Sequence, residues 1–116
     1  MEVHTYGHRF EVTDEQRALI EARLLAALRR FGHRVVRVTA YLSDENGTRG
    51  GVDKCIRVIA RLKPSGQVMI REIDADLERL IYRAARRLAH AVKRELRRRH
   101  TYPVRRVRRE LALTMR

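Results

Sequence analysis

Residues 36–43 read Val36-Arg37-Val38-Thr39-Ala40-Tyr41-Leu42-Ser43. Val36, Val38, Ala40 and Leu42 alternate with Arg37, Thr39, Tyr41 and Ser43. That alternation predicts a strand with one buried face and one wet face. Downstream, Ile56, Val58, Ala60 and Leu62 repeat the pattern. The stretch Asp44-Glu45-Asn46-Gly47-Thr48-Arg49-Gly50-Gly51 between the two is turn chemistry and predicts a loop. Pro64-Ser65-Gly66 predicts a tight turn into a further strand that begins with Val68 and Ile70 and ends near Ile73. Near the start, Val3 and Thr5 alternate with His4 and Tyr6, a short strand ending at Gly7.

Two segments carry the helical period instead. Thr13 followed by Gln16 has capping-box spacing, and Asp14 and Glu15 suit the positive end of a helix dipole. The helix is expected over about residues 14–31, with Ile20, Leu24, Ala27, Leu28 and Phe31 on one face and Gly32 as its stop. Leu19 and Leu25 fit that face poorly. A second helix is expected from Asp74 or Asp76, with the acids Asp74, Asp76 and Glu78 in its first turn. Leu77, Ile81, Ala84, Leu88 and Val92 form its apolar stripe, widened by Leu80 and Ala85. Arg79, Arg83, Arg86, His90, Lys93, Arg94 and Arg97 fall on the opposite side. From 74 to 100 such a helix is roughly 40 Å long at 1.5 Å per residue. Pro103 is expected to end it, leaving residues 101–116 as a short basic tail after a 1–100 domain.

The order is therefore β-α-β-β-β-α. Four strands with apolar inner faces need cover, and two amphipathic helices supply it. The expected fold is α+β, a two-layer sandwich of a four-stranded sheet with two helices packed on one face. The first two strands should be parallel if adjacent, because a helical crossover joins them.

The chain has 116 residues and a formal net charge of +13. The excess is concentrated: residues 79–116 hold fourteen basic side chains against Glu95 and Glu110. Such a field draws polyanions, nucleic acid first and anionic membrane second. A charged helix face can equally be plain solvated surface, and such faces usually mix Glu with Lys. Here acids nearly vanish after Glu78, so repulsion along the helix is uncompensated, which favours polyanion binding. Twenty-four of the twenty-seven cations are arginine, a fork suited to phosphate. One cysteine, Cys55, leaves no intramolecular disulfide or cysteine-rich zinc site, and no apolar run is long enough to span a bilayer. A reduced, cytoplasmic setting is expected.

The other chemical candidates have plainer explanations. His4, His8 and His33 lack metal-site spacing and read as surface histidines. Cys55 beside Lys54 and Arg57 would be a nucleophile only if exposed, and reads better as a small strand residue. The acids at 74, 76 and 78 are explained by the helix dipole. Tyr41 on the outer sheet face and Tyr82 beside the basic helix face are candidates for stacking on bases, Tyr82 being the better placed. No nucleophile–base pair, metal cluster or phosphate loop is visible, so an enzyme is the least supported class.

Gly7-His8-Arg9-Phe10-Glu11-Val12-Thr13 resembles the G-x-x-[VF]-E-[IV]-T opening of the ribosome hibernation promoting factor and ribosome-associated inhibitor family, also called sigma-54 modulation protein. Phe31-Gly32-His33-Arg34-Val35 through Val38 to Glu45 is similar to its F-x-x-R-[IV] and V-x-V-x-L-S-x-E stretch. Asp76-Leu77, Leu80-Ile81 and Arg87-Leu88 resemble its D-M-Y-x-A-I-D…D-K-L helix, with Glu78, Tyr82 and Arg86 at that helix's tyrosine and two aspartates. The likeness covers about residues 3–98 and is that of a short member, without the second, dimerising domain of long ones. It implies a fold similar to double-stranded RNA-binding domains. It also implies binding to the small ribosomal subunit in the mRNA–tRNA decoding channel, exclusion of translation substrates and storage of idle ribosomes. By position, Arg23, Arg87, His90 and Arg94 stand at the family's basic positions.

The combined expectation is a ribosome-bound translation inhibitor that is a monomer off the ribosome and needs no cofactor, metal, membrane or small-molecule substrate. Ribosomal RNA would be held by Arg17, Arg23, Arg79, Arg83, Arg86, Arg87, His90, Lys93, Arg94, Arg97 and Arg98, with Tyr82 stacking on a base. The alternatives are an RNA-binding module acting on structured RNA off the ribosome, and a protein-binding transcription regulator.

Overall fold

A computed structural model describes the backbone of residues 1–46 and 52–114, and the side chains of 1–44 and 53–98. Strand β1 (Glu2–His8) is followed by helix α1 (Asp14–Leu28), a 3-10 segment (Arg29–Arg34), strands β2 (Val35–Asn46), β3 (Val52–Leu62) and β4 (Gln67–Asp74), and helix α2 (Leu77–Thr114). The sheet order is β1-β2-β3-β4, with β1 parallel to β2 and the other pairs antiparallel. This is the β-α-β-β-β-α, α+β architecture that the alternating and helical periods predict. It follows because a parallel pair needs a crossover, which α1 provides, whereas hairpins join the rest.

One apolar layer holds the fold together. Ile20, Leu24 and Leu28 of α1 meet Val38, Ala40, Leu42, Ile56, Val58 and Ala60 of the sheet and Leu80, Ile81, Ala84, Leu88 and Val92 of α2 in a single buried cluster. Both helices therefore lie on the same side of the sheet. Leu19 packs against the edge of this cluster, while Leu25 is 40% exposed.

The local signals act as their chemistry requires. At the α1 N-terminus the Gln16 amide donates to Thr13 Oγ1 (3.1 Å), and the Thr13 amide donates to Gln16 Oε1 (3.0 Å). Gly32 takes φ +56°, a conformation costly for a residue with a Cβ. Gly7 has a different reason: the Phe10 carbonyl oxygen would lie 1.9 Å from a Cβ built there. Asp76 caps α2 by accepting from the Glu78 amide (3.1 Å).

Five sequence expectations need correction. Val36 is 42% exposed and Val35 is buried, because the register with β3 shifts between Val35 and Arg37 and moves the alternation by one residue. The α1 helix stops at Leu28, and residues 29–34 tighten into 3-10 turns before Gly32 redirects the chain. Asp44, Glu45 and Asn46 extend β2 rather than opening the loop, since they pair with Lys54, Asp53 and Val52; residues 47–51 lie outside the described residues. Asp74 closes β4 and is not in the first turn of α2. Pro103 does not end α2, whose backbone stays helical to Thr114. A proline removes one amide and crowds one carbonyl, a local penalty. The Arg-, Leu- and Ala-rich residues after it are good helix formers.

Because Leu88 is fully buried between both layers, Leu88→Ala should lower the unfolding free energy by about 2–5 kcal/mol in a urea titration. Thr13→Ala, which removes one half of the α1 cap, should cost about 1 kcal/mol in the same measurement.

Candidate nucleic-acid interface

The apolar stripe of α2 dictates what the helix shows to solvent. Burying Leu80, Ala84, Leu88 and Val92 turns Arg79, Arg86, His90, Lys93 and Arg97 outward as a crest. Arg83, Arg87 and Arg94 lie on the flank above β4. All eight are exposed.

The structure sorts these residues into two groups. Glu72 and Asp74 alternate with Ile70 and so point to the helix side of β4. There Glu72 pairs with Arg83 (3.2 Å) and Arg87 (3.0 Å), and Asp74 pairs with Arg79 (3.2 Å) and Arg83 (3.5 Å). Arg87 also donates to the Arg71 carbonyl oxygen (2.9 Å). The expectation of an uncompensated face is therefore overturned at the first turns of α2, where β4 supplies the missing acids. Further along, Arg98 pairs with Glu95 (2.9 Å), and Arg97 also has a partner. Among the described residues no carboxylate pairs with Arg86, His90, Lys93 or Arg94.

Three of those four residues, Arg86, His90 and Arg94, line a groove of about 540 Å³ between α2 and β4, together with Met69, Ile70, Glu72, Arg83, Arg87 and Ala91. A second cleft, of about 380 Å³, lies where α1 meets the start of α2. It brings Arg23 beside Arg79 and Tyr82, with Leu19, Asp76, Glu78 and Ile81 completing the wall. Tyr82 is 58% exposed there. Arg17 is placed differently: it is half-buried and its guanidinium donates to the Thr5 carbonyl, tying α1 to β1. The sequence reading missed the role of Glu72 and Asp74. Their even spacing from Ile70 was the available signal, and assigning Asp74 to the helix obscured it.

The Asp76 amide, which donates to Asp74 Oδ1 (2.9 Å), holds the Asp74 carboxyl below its ordinary range. Partial burial opposes this, and the charges of Arg79 and Arg83 reinforce it. Among the described residues no group of three or more His, Cys, Asp or Glu could hold a metal ion, and no helix is long and apolar enough to cross a membrane.

The four-stranded sheet with two helices on one face is shared with known proteins. The family model described as Sigma 54 modulation protein / S30EA ribosomal protein matches residues 3–101. The chain belongs to this family. Among solved structures, the N-terminal domain of Thermus thermophilus Protein Y is similar, with 28% identity, a TM-score of 0.61, and coverage of 81% of this chain and 98% of that one. A ribosomal subunit interface protein from Coxiella burnetii shares the fold at 15% identity and a TM-score of 0.60, covering 86% of this chain and 98% of its own. No curated protein matches the chain. The Sigma 54 modulation protein / S30EA match takes in α1, β4 and α2 as far as residue 101, so the described crest and the β4 flank lie inside the family region.

A carboxyl held low in the folded state stabilises the fold above the ordinary carboxylate range, and that contribution is lost as pH falls through the folded value. The wild type should thus lose stability below about pH 4 more steeply than Asp74→Asn, measured as urea midpoints at neutral and acid pH.

Proposed function

We propose that this chain is a ribosome-associated translation inhibitor of the hibernation type, which binds ribosomal RNA of the small subunit in the mRNA–tRNA decoding channel and occludes translation substrates. The observation that carries this reading is the set Arg86, His90, Lys93 and Arg94, exposed and without carboxylate partners among the described residues, on a fold whose family is described as ribosomal. Membership of that family, described in part as a ribosomal protein, supports the ribosome as the partner.

The mechanism needs no bond-making chemistry. Rigid placement of cations on a helix lets them follow the shape of an RNA backbone, and each neutralised phosphate releases counterions. The pairs that Glu72 and Asp74 form hold Arg79, Arg83 and Arg87 against the sheet, so these arginines brace the crest as well as adding charge beside it. Arg23 and Tyr82, brought together from different helices, extend the surface toward α1.

Co-sedimentation with purified small subunits tests the reading. The protein should pellet with them at moderate salt and inhibit translation in a cell-free system. Arg86→Glu with Arg94→Glu should abolish both effects without changing the urea midpoint, because neither side chain has an ion-pair partner among the described residues. A single Arg94→Ala should reduce the slope of log K against log salt by about 0.7–0.9, the value of one phosphate contact. Binding by the double variant equal to that of the wild type would refute the proposed face.

A further inference from the structure

The helices cover one face of the sheet; the other holds a different arrangement. Register places Tyr6, Tyr41, Arg57 and Arg71 in one row across all four strands, because Tyr6 pairs with Tyr41, Tyr41 with Arg57, and Arg57 with Arg71. Their parity is opposite to that of Ala40, Val58 and Ile70, so they point away from the core. The Tyr6 and Tyr41 rings are stacked, with centroids 5.8 Å apart and planes 28° apart. His4 stacks with Tyr6 at 6.4 Å between centroids, and the Arg57 guanidinium lies 5.0 Å from the Tyr41 ring centre. Tyr6 is 51% exposed. Two of the chain's four tyrosines are thus spent side by side on an outer surface, in a chain with two phenylalanines and no tryptophan.

We infer that this row is a stacking platform for unpaired bases of single-stranded RNA, a second contact surface separate from the α2 crest. Aromatic rings accept bases of any identity on their faces, and arginine beside them adds cation–π and phosphate contacts. The charge of the face suits this occupant. Arg37, Arg57, Arg61 and Arg71 share it with the acids Glu2 and Asp53 among the described side chains, and Glu2 is already engaged by Arg37 (3.2 Å) and His4 (3.6 Å). An acidic protein segment would also be drawn to the arginines, but it would have no use for two adjacent rings. A duplex conceals its base faces, so it too would bypass them.

The experiment uses the full chain, a fluorescent oligouridine of about eight nucleotides, within the usual site size of such platforms, and a short RNA duplex. Tyr6→Ala with Tyr41→Ala should weaken oligouridine binding about tenfold and leave duplex binding unchanged. Tyr6→Phe with Tyr41→Phe should bind as the wild type does, because the rings remain. Bromouridine crosslinking of the unaltered protein provides a readout that does not depend on a variant's folding. Adducts should fall on the tryptic peptides spanning residues 1–9 and 38–49, and should persist in the Arg86→Glu, Arg94→Glu variant that tests the crest. Adducts confined to α2 peptides, or undiminished oligouridine binding by the double alanine variant, would overturn the inference. So would a polyglutamate peptide that displaced the adducts as well as unlabelled oligouridine does.

Discussion

The burial of one stripe of α2 against the inner face of the sheet is the constraint on which the rest depends. Leu80, Ala84, Leu88 and Val92 cannot enter the core unless the opposite side of the helix faces water. Because the helical period is rigid, that single burial also places Arg86, His90 and Lys93 relative to the sheet. The hydrophobic effect thus positions a charged surface, without any of its charges needing a partner inside the protein.

The arginines of α2 divide by what stands beneath them. Those over β4 find Glu72 and Asp74; among the described residues Arg86 and Arg94 find no acid, and Arg98 finds Glu95 on its own helix. Exposed ion pairs contribute little stability singly, and the pairs here join two carboxylates to three guanidinium groups in a network that orients long side chains. The same strand that contributes Ile70 to the core contributes these acids from the next positions on the same face. Core and surface organisation are therefore set by one alternation.

Much of this was legible in the sequence, for physical reasons that also mark where legibility stopped. Alternation at Val38, Ala40 and Leu42 and at Ile56, Val58 and Ala60 reports burial directly, so the sheet and its inner face follow from it. The helical stripe of α2 and the Thr13–Gln16 cap are local patterns of the same kind. The parallel pairing of β1 with β2 followed from the crossover. What was not legible depended on contacts between distant residues. Val36 was misplaced because the shift at Val35/Arg37 is a property of pairing with β3. Arg17 gave no sign that it would reach the Thr5 carbonyl, and Arg23 and Tyr82 gave none that they would share a cleft. The helix beyond Pro103 shows that a strong local stop signal can be outweighed by the helix-forming residues around it.

The bond from Arg87 to the Arg71 carbonyl has a colloidal consequence. β4 is the last strand of the sheet, and an open strand edge is a template on which foreign chains can add by main-chain pairing, the first step toward fibrils. A guanidinium seated on one of that edge's acceptors occupies a bonding position that an incoming strand would require, and brings a charge to repel other cationic copies. One of the chain's own arginines thereby leaves an added strand one acceptor fewer on β4.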